Sequence, residues 1–230
     1  MSPHGARFAH ILEVGDYLAY LKENALEGWS MRGPDLYTTK TTVQSYFLHQ
    51  RQRLETLLER VLDSKEFEDI DCDHVFEHYL IVLTMLVWID RPDFLPRFVR
   101  HRLSDERLPF DVPPSEFPPL ANGSFFTDFR DAQWRFCPFV FRIGEKDCKI
   151  APERIIPIRS KKKLRRRPPA TVWKVVLHKD CDPFQASQSL TDSTQVLSHT
   201  CLTDYRLMPA VLTKHLHLQT VYWQSCHCKL

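Results

Sequence analysis

Apolar residues recur at a helical period along much of the first ninety residues. The clearest case is the segment 41–64, where apolar side chains fall on one face every 3.6 residues and charged side chains occupy the other face. That apolar face comprises Val43, Tyr46, Phe47, Leu54, Leu57, Leu58, Val61 and Leu62. A weaker pattern of the same kind, with Gly15 in its middle, spans 8–28. We predict a helix over each segment.

An unbroken apolar run, YLIVLTMLVWI, spans 79–89. It is far shorter than the roughly 20 residues that a membrane-spanning helix needs, so it predicts a buried helix. Asp71 or Asp73 is suited to cap the N-terminus of a helix that includes this run. A short further helix is predicted for 93–102.

The helical pattern of apolar residues ends at Leu108. The segment 108–124 has five prolines and no periodicity, which is typical of a connector. Beyond it, the short apolar runs at 138–143, 154–158 and 171–179 are typical of β-strands. From about residue 196 onward no sustained period is found.

These patterns predict four parts. The fold class is a mainly α N-terminal domain followed by a short, partial β segment and a poorly ordered tail. The helical domain is predicted over 1–107, the connector over 108–124, an aromatic-rich segment over 125–185 and the tail over 186–230. The composition of the tail favours translation through an intron or in a shifted frame; the alternative is a genuine tail that docks on a partner.

The formal net charge of +2 conceals a strong asymmetry. Residues 1–153 contain 18 Lys and Arg against 25 Asp and Glu, whereas residues 154–230 contain 13 against 4 and have no glutamate. Such a reversal indicates two parts with different partners.

A basic cluster, KKKLRRR, lies in the positive part. It consists of Lys161, Lys162, Lys163, Arg165, Arg166 and Arg167. One interpretation is a solvated linker whose charges keep it extended. The other is a signal for nuclear import or a contact for non-specific polyanions, whose binding would be sensitive to salt.

Cysteine usage and the N-terminal sequence favour a reducing compartment. The seven cysteines are scattered, and Met1 to His10 has no apolar core of the kind that a signal peptide carries. We therefore expect an intracellular protein, cytoplasmic or nuclear, that does not associate with membranes.

Histidines and cysteines crowd the end of the chain. They are Cys201, His215, His217, Cys226, His227 and Cys228. Structural zinc sites usually show C-x₂₋₄-C pairs, and the close pair here, Cys226 and Cys228, is tighter than that. We predict no metal site there, and a plain surface pair for His74 and His78, one helical turn apart.

Three segments in a fixed order carry a resemblance to a known family. FTDFRDAQWRFCPFVF, ERIIPIRSKKK and ATVWKVVLHKDCDPF follow one another between residues 126 and 184. They resemble protein-kinase-domain proteins of filamentous fungi, in which a helical N-terminal region precedes the kinase domain. The resemblance covers about 40–185 in outline and about 126–184 in motif. It implies that 125–185 begins a kinase small lobe, with ATP and Mg²⁺ as the cofactors of intact family members.

The resemblance also implies a position for the nucleotide loop, G-x-G-x-x-(G/A)-x-V. With its last valine on Val172, the third glycine position falls on Ala170 and the first two fall on Arg165 and Arg167. Glycines are needed there because the backbone approaches the ATP phosphates with free N–H groups. Ala170 and Val172 are then remnants of a broken loop, further disrupted by the prolines at 168–169.

The remaining kinase machinery is missing from the sequence that follows. The last glutamate is Glu153, so no glutamate can pair with a lysine downstream, and no HRD or DFG motif occurs after the loop. The resemblance thus implies a truncated protein-kinase-like protein, catalytically inactive as written, with no catalytic residue and no cofactor expected. Its helical region would be an interaction or regulatory module that binds a protein partner.

Two alternatives stay open. The chain is an imperfect gene model of an active ATP-dependent Ser/Thr protein kinase, or it is a basic polyanion-binding protein that acts through residues 161–167.

Overall fold

The chain forms two compact units, and a short segment within the sequence of the first unit belongs to the second. The computed structural model describes Phe8 and residues 10–48, 50–115, 124–140, 150–167, 170–182, 197–201, 207–208, 213–215, 218–220 and 222–225. The first unit comprises residues 1–26 and 37–137, and the second comprises residues 27–36 and 138–230.

The first unit is helical, which confirms the predicted mainly α N-terminal domain. Its described residues form eight α-helices: α1 (Leu12–Glu23), α2 (Lys40–Leu48), α3 (Gln52–Val61), α4 (Ser64–Glu68), α5 (Cys72–His78), α6 (Leu80–Trp88), α7 (Leu95–Arg100) and α8 (Ser124–Phe136). Short 3₁₀ turns at Pro92–Phe94 and Asp105–Arg107 flank α7.

Helix α6 lies at the centre of this unit. All its residues from Leu80 to Val87 are buried, as the apolar run predicted, and α1, α2, α5, α7 and α8 pack around it. Around it, α1 contributes Val14, Tyr17 and Leu21 to the same core. A helix whose residues other than Thr84 are apolar is stable in this position because helices pack around it, and the Thr84 hydroxyl is paired with the Tyr17 hydroxyl at 2.6 Å.

Two predicted helices are shorter than their sequence patterns. The segment 41–64 divides into α2 and α3, joined by i+3 bonds such as Arg53 N–H to the Gln50 carbonyl, 2.8 Å. The pattern over 8–28 yields α1 alone, which ends at Glu23. The helix predicted to run from Asp71 or Asp73 to Ile89 is interrupted at Tyr79 and forms α5 and α6. The predicted cap at Asp71 is confirmed for α5, since its carboxylate accepts a 2.9 Å hydrogen bond from the Asp73 N–H.

Helices α6 and α7 end in left-handed residues that are not glycine. Asp90 has φ 60° and Arg102 has φ 54°. After each, the chain closes the helix with the backbone bonds of a Schellman motif, Arg91 N–H to Leu86 O and Leu103 N–H to Phe98 O.

The second unit begins with a hairpin inserted between α1 and α2. Its strands are β1 (Leu26–Ser30) and β2 (Gly33–Tyr37), and Gly33 has φ 122°, a conformation that favours glycine. Trp29 of β1 forms an isolated antiparallel bridge with Ile156, so this hairpin belongs with the later part of the chain.

The main sheet of the second unit has five described strands. They are β3 (Ile158–Arg167), β4 (Ala170–Leu177), β5 (Leu197–Cys201), β6 (Leu207–Met208) and β9 (Tyr222–Ser225), in the order β3-β4-β9-β5-β6. Strands β3 and β4 are antiparallel, whereas β5 and β9 are parallel. A separate hairpin contains β7 (Thr213–His215) and β8 (Leu218–Thr220). Buried apolar residues here include Ile155, Ile156, Ile158, Val175 and Leu177.

Several boundaries differ from the predicted ones. The compact helical unit continues beyond residue 107 to Cys137 and includes α8, which the prediction assigned to the segment 125–185. Helix α8 belongs there because its aromatic face packs into the helical core through Phe125, Phe129 and Phe136.

The strand predictions are met in part. The strand predicted over 171–179 is present as β4, and 154–158 supplies the bridge at Ile156 and the first residue of β3. Residues 138–140 are not a strand, and 141–143 lie outside the described residues. Most of the predicted tail, 186–230, also lies outside them, and its described pieces are β5 to β9.

Candidate functional site

The basic cluster occupies a β-strand. All six of its cations lie in β3, and the strand also contains Arg159 and no acidic residue. The interpretation of this segment as a solvated linker is therefore wrong, because its backbone is paired with a neighbouring strand. The pairs are Lys161 with Val175, Lys162 with Lys174 and Lys163 with Trp173 of β4. We call Ile158–Arg167 the basic strand.

Lys161 is the member of the cluster with a clear packing role. Its Nζ lies 3.1 Å from the centre of the Trp29 ring, a cation–π contact with the inserted hairpin. Burial lowers the pKa of this lysine below its ordinary value. Its neighbours Arg159 and Lys162 are exposed, so the strand presents charge to solvent on either side of Lys161.

The residues assigned to the nucleotide loop lie in a tight hairpin. Arg165 and Arg167 pair with Val172 and Ala170, so the strands close up to the two residues at 168–169, which lie outside the described part of the chain. In antiparallel pairing the N–H and C=O groups bond to the neighbouring strand in alternation. Part of this backbone is therefore already engaged where a nucleotide loop needs free N–H groups.

A groove on the helical unit was not found from the sequence. It has a volume of about 670 Å³ and is lined by Glu13, Asp16, Tyr46, Gln50, Arg51, Gln52, Arg53, Thr56 and Leu57. Residues from α1, the end of α2 and the start of α3 meet there because the predicted single helix is interrupted between Leu48 and Gln52. The residues between them include no proline or glycine, so nothing local in the sequence marks the interruption.

The groove is lined by both acidic and basic side chains. Glu13 and Asp16 lie one turn apart on α1, and Glu13 Oε1 is 3.9 Å from Arg60 Nε. Among the basic residues, Arg51 pairs with Asp73, and the Arg53 guanidinium lies 5.0 Å from the centre of the Tyr46 ring. Burial raises the pKa of Tyr46, and Arg53 opposes that shift. The floor includes the buried Leu57.

Asp105 has a raised pKa, and its role is structural. It accepts hydrogen bonds from the Ile81 and Val82 N–H groups, at 3.1 and 3.0 Å, and so caps α6 from 24 residues away. Lys40 Nζ lies 3.8 Å from its other oxygen. Burial raises the pKa of Asp105 to about 6, against the opposing effect of the backbone hydrogen bonds.

Two cysteines of the described residues, Cys72 and Cys181, are poor nucleophiles. Neither forms a disulfide. Burial raises the pKa of Cys181 to about 12 and also raises that of Cys72, so both remain protonated near neutral pH.

Metal ligands do not converge anywhere in the part of the chain that is described; within it, no three or more His, Cys, Asp or Glu side chains are placed to hold an ion. The rings of His74 and His78 lie 5.0 Å apart on α5. His217 and 226–228 lie outside the described residues. Among the described helices, none combines the length and apolar character needed to cross a membrane.

Comparison with known proteins gives no relatives. No family model matches the chain, and no significant match is found among curated proteins or solved structures. Function is therefore argued from the basic strand and the groove.

Proposed function

We propose that this chain is a protein-kinase-like polypeptide without phosphoryl-transfer activity, and that its helical unit binds another protein. Arginine at two of the glycine positions of the loop, Arg165 and Arg167, is the observation that carries the first part. A phosphate cradle requires glycine there because the backbone must approach the phosphates closely, and the Cβ and long side chain of arginine occupy that space.

The rest of the sequence supports the loss of activity. Phosphoryl transfer depends on a lysine–glutamate pair, magnesium ligands and a base that act together. Residues 154–230 contain no glutamate, so this stretch does not supply the acidic partner of that pair.

A binding titration with a fluorescent ATP analogue tests this part of the proposal. The purified 230-residue chain is titrated with and without Mg²⁺, alongside an active protein kinase as the positive control. We expect no saturable signal from this chain. Saturable, magnesium-dependent binding would overturn the inactive assignment.

The groove on α1, α2 and α3 supports an interaction role for the helical unit. Carboxylates, guanidinium groups and the Tyr46 ring all line it. Protein segments that carry both charges fit such a surface, because each charged group attracts the opposite charge and the ring packs against aliphatic stems.

Site-specific photocrosslinking tests the interaction role. A photoreactive amino acid replaces Gln52, an exposed residue of the groove, and in a matched protein it replaces Lys65, an exposed residue of α4. We expect discrete protein adducts in cells from position 52 and none from position 65. Equal adduct patterns from both positions would count against the groove.

A further inference from the structure

The basic strand forms one end of the described sheet. In the order β3-β4-β9-β5-β6, β3 pairs with β4 on one side, and no further described strand follows it on the other. The bridge between Trp29 and Ile156 lies just before the strand begins. One edge of β3 therefore presents backbone N–H and C=O groups that β4 does not use.

Exposed strand edges are templates for pairing with another chain. With ten residues, β3 is about 33 Å long, at about 3.3 Å per residue. Its pairing with β4 shifts register between Ile158 and Ser160 and between Lys163 and Arg165, so the regular stretches that a partner segment can follow are 160–163 and 165–167.

Charge identifies the partner. Seven of the ten residues of β3 are Lys or Arg, and the second unit as a whole has 17 Lys and Arg against 9 Asp and Glu, a net charge of +8. Charged side chains protect an edge from unspecific pairing, and seven cations with no carboxylate among them also attract negatively charged segments. An acidic segment would be attracted to this strand.

The distribution of the cations favours an added strand over a rod-like polyanion. Successive residues of a strand point to opposite faces, so Lys161 and Lys162 lie on different faces of the sheet. The Lys161 ammonium lies against Trp29, which covers that face locally. An added strand continues both faces and can place a carboxylate opposite each cation, whereas a nucleic acid would contact one face.

We propose that the edge of β3 on which no described strand lies binds an extended, acidic protein segment by strand addition. Main-chain hydrogen bonds supply the binding mode, and cross-strand pairs between carboxylates and the cations of β3 supply the selectivity. This inference is independent of the groove on the helical unit and of kinase activity.

Backbone methylation of a peptide probe tests the mode of binding. The probe is a fluorescent ten-residue peptide with glutamates on both strand faces and valine or threonine elsewhere. Two further versions carry N-methyl groups on the odd or on the even residues, which removes N–H donors from one edge of the peptide and keeps its charge. With the full chain, we expect one methylated version to lose at least tenfold in affinity and the other to bind like the parent peptide.

A charge reversal on the exposed part of the strand tests the location. Lys162→Glu is compared with Lys65→Glu, which makes the same change of net charge on the helical unit. We expect Lys162→Glu to weaken binding of the parent peptide about tenfold, and Lys65→Glu to leave it unchanged. Circular dichroism of both variants establishes that they are folded.

Three outcomes would overturn the proposal. One is equal binding of the parent and both methylated peptides, which indicates attraction by charge alone. Another is tighter binding of a single-stranded oligonucleotide than of the parent peptide, which indicates a nucleic-acid contact. The third is an equal effect of Lys162→Glu and Lys65→Glu.

Discussion

At the scale of single residues, Asp105 links the pH of the solution to the stability of the central helix. Its carboxylate satisfies two N–H groups at the start of α6, where negative charge also interacts favourably with the helix dipole. Burial nevertheless raises its pKa from 3.8 to about 6, while Lys40 and His78 oppose that shift. The native protein therefore holds this proton more tightly than the unfolded chain.

A proton held more tightly in the native state stabilises it at low pH. The contribution of Asp105 is fully present below about pH 4 and is lost as the pH rises through about 6; the two pKa values correspond to about 3 kcal/mol. Asp105→Asn keeps an acceptor oxygen but does not titrate. We expect the stability of the natural protein relative to this variant to fall between pH 4 and 7, measured by urea unfolding. Parallel pH profiles would contradict the assignment.

Arg102 occupies a conformation in which a side chain is strained. At φ 54° it ends α7 where glycine is usual, at a cost of about 1–2 kcal/mol for a residue with a Cβ. We expect Arg102→Gly to stabilise the protein by about 0.5–1 kcal/mol, since glycine loses part of that gain to its greater freedom in the unfolded chain. Thermal unfolding measures the change. Arg100→Gly, inside α7, is the control and should destabilise by up to about 1 kcal/mol; stabilisation by both, or by neither, would contradict the strain argument.

At the scale of elements, the inserted hairpin is coupled to the basic strand through Trp29 and Lys161. A double-mutant cycle with Trp29→Leu and Lys161→Met isolates this contact. We expect a coupling free energy of about 0.5–2 kcal/mol, measured by urea unfolding, because the ammonium is half-buried against the ring. Additive effects of the two substitutions would mean that the contact contributes nothing.

Local signals in the sequence predict that a helix or strand is present better than they predict the residues at which it begins and ends. The apolar run at 79–89 and the Asp71 cap are encoded within a few residues, and both are found. The apolar positions follow the same helical period through α2 and α3, so this period does not reveal that the helix is interrupted between them. The groove depends on that interruption, and the cap by Asp105 comes from 24 residues away; neither has a local signature. Only the charges of the basic strand were visible in the sequence, because its edge position depends on strand order.

At the scale of the whole molecule, two separate cores predict two unfolding steps. Leu57 is buried in the helical unit and Ile155 in the second unit. Each change to alanine is expected to cost about 2–5 kcal/mol, and each should shift a different step. Calorimetry of the full chain resolves the steps. If Leu57→Ala and Ile155→Ala shift one and the same transition, the units unfold together.

The insertion of residues 27–36, which belong to the second unit, into the sequence of the first unit has a consequence for protein synthesis. The hairpin leaves the ribosome about 100 residues before the rest of its own unit. At about 5–20 residues per second, β1 and β2 wait for roughly 5–20 s while the helices that flank them in sequence are already able to fold. The two strands of the hairpin are therefore synthesised well before the segments that they contact. A fragment that starts at residue 138 would never contain Trp29, so every continuous fragment with the whole second unit also contains residues 37–137 of the helical unit.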